Sequence, residues 1–320
     1  MATLVTSRLA TRPARAFIMS AWAVLGWNLL VILWGAYVRA SGSGAGCGGH
    51  WPLCNGQVLP PSHQAATLIE YAHRATSGIA LMGVFALALW ARRVFPKGHR
   101  ARTAAALAAL FIVTEALLGA GLVLFNYVAQ DASAGRAIYL SLHLANTQLL
   151  LAALAITAWF AAHSDAKPAR PFIPALIALP VAVGVSITGV IAALGDTLFP
   201  ATSLAAGIRQ DFSPAVALLV RLRVIHPALA IVSSAFFIYV ALGALRARYG
   251  QGTQRAAWSV LVLVLAQLCA GALNIALLAP VWMQLLHLLL ADLLWIALLA
   301  LALHTGHETS EPLVLRSQAA

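Results

Sequence analysis

Acidic residues are almost absent from this chain, with Asp and Glu together numbering 9 in 320 residues and all charged residues making up 9%. So little charge beside 62% hydrophobic residues excludes a soluble domain, in which roughly a quarter of the residues are charged. Cysteine is scarce as well. Three thiols exclude a densely disulfide-bonded scaffold. A cleavable signal peptide is not expected either: the apolar run after Arg8, Arg12 and Arg15 is too long and lacks a small-x-small cleavage site, so it reads as a retained first helix.

What the chain has is apolar length. A hydrocarbon core of about 30 Å takes about 20 helical residues to cross. Eight such runs occur, at 17–38, 67–90, 104–125, 137–162, 172–194, 215–242, 256–279 and 281–303. The sixth opens on Ser213-Pro214 and carries Arg221 and Arg223, so 214–220 could be a short interfacial piece ahead of the true span. The fold class expected is an all-α integral membrane protein, eight transmembrane helices arranged as two pseudo-twofold-related four-helix bundles.

The net charge of +11 sorts by loop. Fourteen of the twenty basic residues fall in the N-terminus, the 91–102, 163–171 and 243–255 loops and the C-terminal tail, while the alternate loops hold only Arg39, Arg136 and Arg209. Arg74, Arg221 and Arg223 fall near the outer ends of the second and sixth spans. By the positive-inside rule both termini are cytoplasmic. The basic excess is a topology signal and implies no nucleic-acid partner. Cys47 and Cys54 then lie in the first outer loop, "GCGGHWPLCNG", where an oxidising compartment permits a disulfide. Free thiols and a metal site are the alternatives, although one His50 between two cysteines makes a poor zinc shell. Cys269, inside the seventh span, is expected to be a small buried apolar side chain.

The two halves echo one another. "TEALLGAGLVLFN" (114–126) aligns with "AQLCAGALNIALL" (266–278), pairing Glu115 with Gln267 and Gly119 with Gly271 at a shift of 152. "EYAHRATSGIAL" (70–81) aligns with "RVIHPALAIVSS" (223–234), pairing His73 with His226 at 153, and "LHLANTQLLL" (142–151) aligns with "LHLLLADLLW" (286–295), pairing His143 with His287 at 144. An even number of spans per half lets both enter the membrane in the same sense. The expected organisation is a cytoplasmic N-terminus at 1–16, bundles at 17–162 and 172–304, a cytoplasmic linker at 163–171 and a cytoplasmic tail at 305–320.

Of ten histidines, His50, His63, His99, His163, His304 and His307 fall in loops or at helix ends and read as solvated. The other four are those the repeat pairs up. Each lies in an even-numbered span, about 10 Å deep near the outer face if the sixth span begins near Arg221. Two neutral imidazoles facing each other across an apolar bundle suit axial ligation of a heme iron, with the propionates reaching toward arginines at the interface. Three residues before the histidine, one half has Glu70 and the other Arg223, each on its histidine's helix face. An intramembrane acid is functional by default, so the Glu70 half reads as the reactive site and the Arg223 half as a cofactor holder. Glu70 could also simply pair with Arg74. Glu115 and Asp292 also lie well inside spans, as a proton relay or as polar helix contacts.

These segments together, "SGSGAGCGGHWPLCNG" (41–56), "EYAHR" (70–74), "LHLANTQ" (142–148), "RVIHP" and "LLHLLLAD", resemble the heme A synthase family, in the form with a cysteine pair in the first outer loop. The resemblance implies an oxidoreductase of the cell membrane that oxidises the ring methyl of heme O to a formyl group, making heme A for terminal oxidases. It implies His73 and His143 as ligands of the substrate heme O, His226 and His287 as ligands of a resident heme b, Glu70 as the catalytic acid and Cys47–Cys54 as a disulfide. By their depth Arg39, Arg74, Arg136, Arg221 and Arg223 could pair with the propionates, Arg74 and Arg223 being the contacts singled out. Heme O synthase, the protoheme farnesyltransferase, is the protein partner to expect beside membrane lipid and an unidentified electron acceptor. One departure is visible: the matching loop of the C-terminal half, "LGDTLFPATSLAAG", has no cysteine pair. The competing readings are a diheme b-type electron-transfer cytochrome, which does not explain the Glu70/Arg223 asymmetry, and a transporter, which would gather its polar groups at the bilayer middle.

Overall fold

The computed structural model describes residues 11–60, 64–213, 218–247 and 249–308. Arg8, His63, Pro214, Arg248 and Arg316 lie outside the described residues. In lipid an apolar segment can satisfy its backbone groups only by coiling, and the eight long runs do so: α1 (Thr11–Ala40), α2 (Ala65–Val94), α3 (Arg100–Leu124), α4 (Ala134–Ala162), α5 (Ile173–Leu198), α8 (Ile225–Arg246), α9 (Gln251–Ala276) and α10 (Val281–Thr305). Two short helices, α6 (Leu204–Asp211) and α7 (Leu218–Leu222), lie between α5 and α8, and a two-residue pair, β1 (Lys167–Pro168) with β2 (His307–Glu308), completes the set. All eight long helices are apolar enough to span a bilayer, and the protein is a multi-pass membrane protein.

The sixth span differs from its sequence reading. Its first turn, α7, is continuous with the rest in hydropathy, the span running Leu219–Arg246, but the helix breaks at Arg223–Val224. The cause is Pro227, which has no N–H for the Arg223 carbonyl and whose ring crowds it. The seventh helix starts earlier than its apolar run suggested and stops at Ala276, because Leu278 and Ala279 turn left-handed (φ 62° and 53°) to enter α10 directly.

The helices close into two rings of the same order. In the first, α1 packs on α2, α2 on α3, α3 on α4 and α4 back on α1; in the second, α5, α8, α9 and α10 do the same. The rings meet through α4 with α5 and through α10 with α1 and α4. α4 is the most enclosed span, and its "LLLAALAITAWFAA" run supplies the small residues that let neighbouring backbones approach.

The tight apolar core occupies only one end of this assembly. It takes α1 up to Leu25, α2 from Ala80, α3 up to Ile112, α4 from Leu150, α5 up to Ala182, α8 from Phe237, α9 up to Val264 and α10 from Leu294. Every one of these segments lies at the end away from the Cys47–Cys54 loop. At that packed end, His163 and His304 depart from the solvated role expected of them. His163 is buried and stacks on Trp159 (centroids 4.5 Å apart), and the Trp159 indole N–H donates to His304 Nε2 at 3.2 Å. Burial holds the His163 imidazole below its ordinary pKa. Cys269 also departs from expectation: it faces outward on α9 and is exposed.

Candidate functional site

His73, His143, His226 and His287 all stand in the half of the protein that the apolar core leaves out, about two to three helical turns before that core begins on their own helices. In each ring they occupy diagonal helices, α2 and α4 in the first, α8 and α10 in the second. All four are half-buried. Buried nitrogens without a hydrogen-bond partner remain on three of them, His73 Nδ1, His143 Nδ1 and His287 Nδ1. The His226 and His287 rings lie with centroids 6.3 Å apart and planes at 85°. A metal–imidazole bond of about 2.0 Å, with a ring nitrogen about 1.1 Å from its ring centre, puts two imidazoles on one metal with centroids about 6.2 Å apart. The second ring's pair therefore fits a shared axial metal such as a heme iron. His73 and His143 are within electrostatic reach of one another.

Each imidazole is backed by a glycine on the preceding long helix. A Cβ at Gly35 would stand 2.9 Å from His73 Cε1, at Gly189 3.0 Å from His226 Cε1, at Gly271 3.2 Å from His287 Cε1 and at Gly119 3.9 Å from His143 Cε1. At Gly35 a Cβ would force the ring to shift, and at Gly189 and Gly271 the ring would have to give by a few tenths of an ångström. The glycines at 35, 189 and 271 thus let the Cε1 side of each imidazole come closer to the neighbouring helix than a side chain there would allow. Gly119 and Gly271 appear in the sequence repeat, whereas Gly35 and Gly189 were missed. Their separation of 154, close to the repeat shift, was the available signal.

Behind the imidazoles the halves differ. In the first ring Glu115 Oε1 lies 3.4 Å from His143 Nδ1, inside ion-pair range but outside hydrogen-bonding geometry. The carboxylate is held by the Asn146 amide, which donates to Oε2 at 2.6 Å, and by the Thr147 hydroxyl, which donates to Oε1. In the second ring the equivalent Gln267 amide lies 3.4 Å from His287 Nε2, and the Thr188 hydroxyl 3.1 Å from His226 Nδ1. Leu290 and Ala291 stand where the first ring has Asn146 and Thr147.

At the loop end, Glu70 does not bond to His73. It accepts from Arg74 (Nη2 2.6 Å, Nε 3.2 Å) and from the Cys47 backbone N–H at 2.8 Å, and Arg74 Nη1 donates to the carbonyls of His50 and Leu53, each at 2.6 Å. The pair grips the loop that the Cys47–Cys54 disulfide closes. Gly46 lies against the Ala66 backbone there, leaving no space for a side chain. Arg223 occupies the matching place and donates to Asp211 (2.6 Å), Asp196 (3.1 Å), Gln210 and the Phe199 carbonyl. Glu70 and Arg223 thus do the same job with opposite charges, each tying its half's loop to the helix that carries the histidine.

With Arg74 and Arg223 engaged by carboxylates, two other cations stand out. Arg39 donates to the Ala193 carbonyl, Thr197 and Gln284, and Arg136 to the Ala129 and Asp131 carbonyls, with a buried Nε left unpartnered. Neither has a carboxylate within ion-pair distance among the described residues. Asp292 on α10 is buried, and its Oδ2 has no hydrogen-bond partner among the described residues.

The chain matches the model of the family described as cytochrome oxidase assembly protein, COX15-CtaA, over residues 19–299. It is 49% identical over 288 residues to a Thermus thermophilus protein named protoheme IX farnesyltransferase, covering 88% of this chain and 47% of that one. It is also 38% identical over 143 residues to the heme A synthase of Halalkalibacterium halodurans and 35% identical over 146 residues to that of Shouchella clausii, about 45% of each chain in both cases. The chain spans about half the length of the curated relatives it matches.

Proposed function

The chain belongs to the COX15-CtaA family of cytochrome oxidase assembly proteins, and from that premise we propose that it is a heme A synthase, converting the ring methyl of heme O to a formyl group. The observation that carries the proposal is the paired imidazoles, one pair per ring, each with its Cε1 atom nearest a glycine of the preceding long helix. His73 and His143 hold the iron of the substrate heme O, and His226 and His287 hold a resident heme b.

Heme iron supplies the oxidative chemistry when bound, and the protein supplies position, dryness and proton handling. The glycines and the diagonal helices place each pair of imidazoles within one ring of helices. Arg39 and Arg136, which have no carboxylate within ion-pair distance among the described residues, take the heme propionates more readily than Arg74 or Arg223, for which a propionate would have to compete with Glu70 or with Asp196 and Asp211. Glu70 is the proton-transfer group we assign to the substrate edge, held still by Arg74 and the Cys47 N–H beneath the closed loop. We place the chain in the cell membrane, both ends cytoplasmic, with the disulfide loop outward. This follows from the loop charges and the compartment a disulfide requires.

The farnesyltransferase named in Thermus thermophilus fits beside this reading. This chain accounts for 47% of that protein, and we assign farnesyl transfer to the remainder. A heme O synthase is accordingly the partner we propose.

The test is expression with a heme O source followed by pigment extraction. Heme A is expected from the wild type and is lost in Glu70→Gln with the disulfide intact. Unaltered heme O and heme b from the wild type would favour an electron-transfer cytochrome, and undiminished heme A in the variant would remove Glu70 from the chemistry.

A further inference from the structure

The sharpest difference between the two rings lies behind the histidines rather than in them. A histidine that binds a metal through one nitrogen is oriented, and made a stronger donor, by what its other N–H meets. In the first ring a carboxylate oxygen faces His143 Nδ1, whereas in the second the Gln267 amide nitrogen faces His287 Nε2 and offers that ring a donor instead of an acceptor. The carboxylate is fixed by its surroundings: Asn146 Nδ2 donates both to Glu115 Oε2 at 2.6 Å and to the Phe111 carbonyl at 2.9 Å, the Thr114 hydroxyl donates to Asn146 Oδ1, and Thr147 closes the other oxygen. Three polar residues of the first ring serve to aim one oxygen at His143. Among the described residues Glu115 is the one charged side chain they bond.

We infer that Glu115 is the positioning residue of the N-terminal site, its carboxylate receiving the Nδ1–H of His143 and so committing Nε2 to the iron. The separation of 3.4 Å closes to a hydrogen bond by a small rotation of the ring, which the Gly119 face permits with a Cβ position 3.9 Å away. Gln267 cannot give His287 an anionic partner, so the second site keeps a neutral imidazole ligand. Second-layer hydrogen bonding and charge are among the levers that set a heme's potential. The carboxylate-backed heme is therefore the one with the lower reduction potential, an order that lets the C-terminal heme accept electrons from the N-terminal one. The inference rests on the heme reading proposed above.

Reciprocal exchange tests it on purified, heme-bearing protein by optical redox titration. Glu115→Gln is expected to raise the potential of one heme, changing its ferrous-to-ferric ratio at fixed potential by about tenfold, or 59 mV for a one-electron couple. Gln267→Glu is expected to lower the potential of the other heme, and Glu115→Asp to retain most of the wild-type value. A merely structural role would not move the two hemes in opposite directions. If Glu115→Gln sheds its heme and Glu115→Asp restores it, the positioning role stands; if both shed it, a downward shift in Gln267→Glu supports the inference and no shift overturns it. Heme-bearing variants with unmoved potentials, or shifts of the same sign, overturn the inference alone. A wild type without heme overturns the heme reading and this inference with it.

Discussion

Replacing His143 by alanine is expected to cut heme A formation by at least about 100-fold, more than the loss of an outer-layer partner costs a metal site, while the C-terminal heme keeps its reduced-minus-oxidised spectrum. The reasoning is positional. His143 belongs to the first ring, and the contacts of His226 and His287 are made by Thr188, Gln267, Gly189 and Gly271, all in the second. Pigment chromatography and a visible spectrum of the same preparation separate the two effects. Heme A made at the wild-type level would show that the first ring does not hold the substrate. Loss of both hemes together would show that the rings do not act as separate sites.

The second large effect concerns the glycines. Gly189→Leu is expected to eliminate the C-terminal heme, because its Cβ alone would stand 3.0 Å from His226 Cε1 and the longer side chain adds bulk beside that ring. Overpacking of this kind costs about 1–3 kcal/mol, too little to unfold eight packed helices but enough to swing one imidazole off its axis. The positions form a graded series. Gly119→Ala meets His143 Cε1 only at 3.9 Å, an ordinary contact, and is expected to leave heme content unchanged, with Gly271→Ala and Gly35→Ala showing progressive loss. Heme per chain, measured across the series, checks the order. Equal heme content in Gly189→Leu and wild type would mean the glycines do not seat the imidazoles.

The sequence disclosed more of the scaffold than of the site. Hydropathy and length sufficed for the eight spans because a bilayer leaves an apolar segment one way to satisfy its backbone. The break at Arg223–Val224 follows from Pro227, although its place relative to His226 could not be read without coordinates. The four histidines were legible because the chain repeats itself. Their orientation was not, since it depends on a helix one neighbour away in space. Glu70 shows the limit well. Its spacing from His73 suggested a group aimed at the heme, while the structure gives its bonds to Arg74 and Cys47 in the loop. Arg39 likewise looked like one interfacial cation among several, until α5 and α10 were found around it with no acid in ion-pair contact. His163 was misjudged because a helix end can be solvated or packed, and only the Trp159 ring beside it decides which.

The measurement that bears most directly on the whole account is the ratio of heme iron to polypeptide in the purified protein, expressed with ample heme precursor. Two hemes per chain are expected, one disappearing in His143→Ala, the other in His287→Ala, and both in the double variant. A chain that carries no heme, or one whose heme content is the same in the double variant as in the wild type, would contradict it.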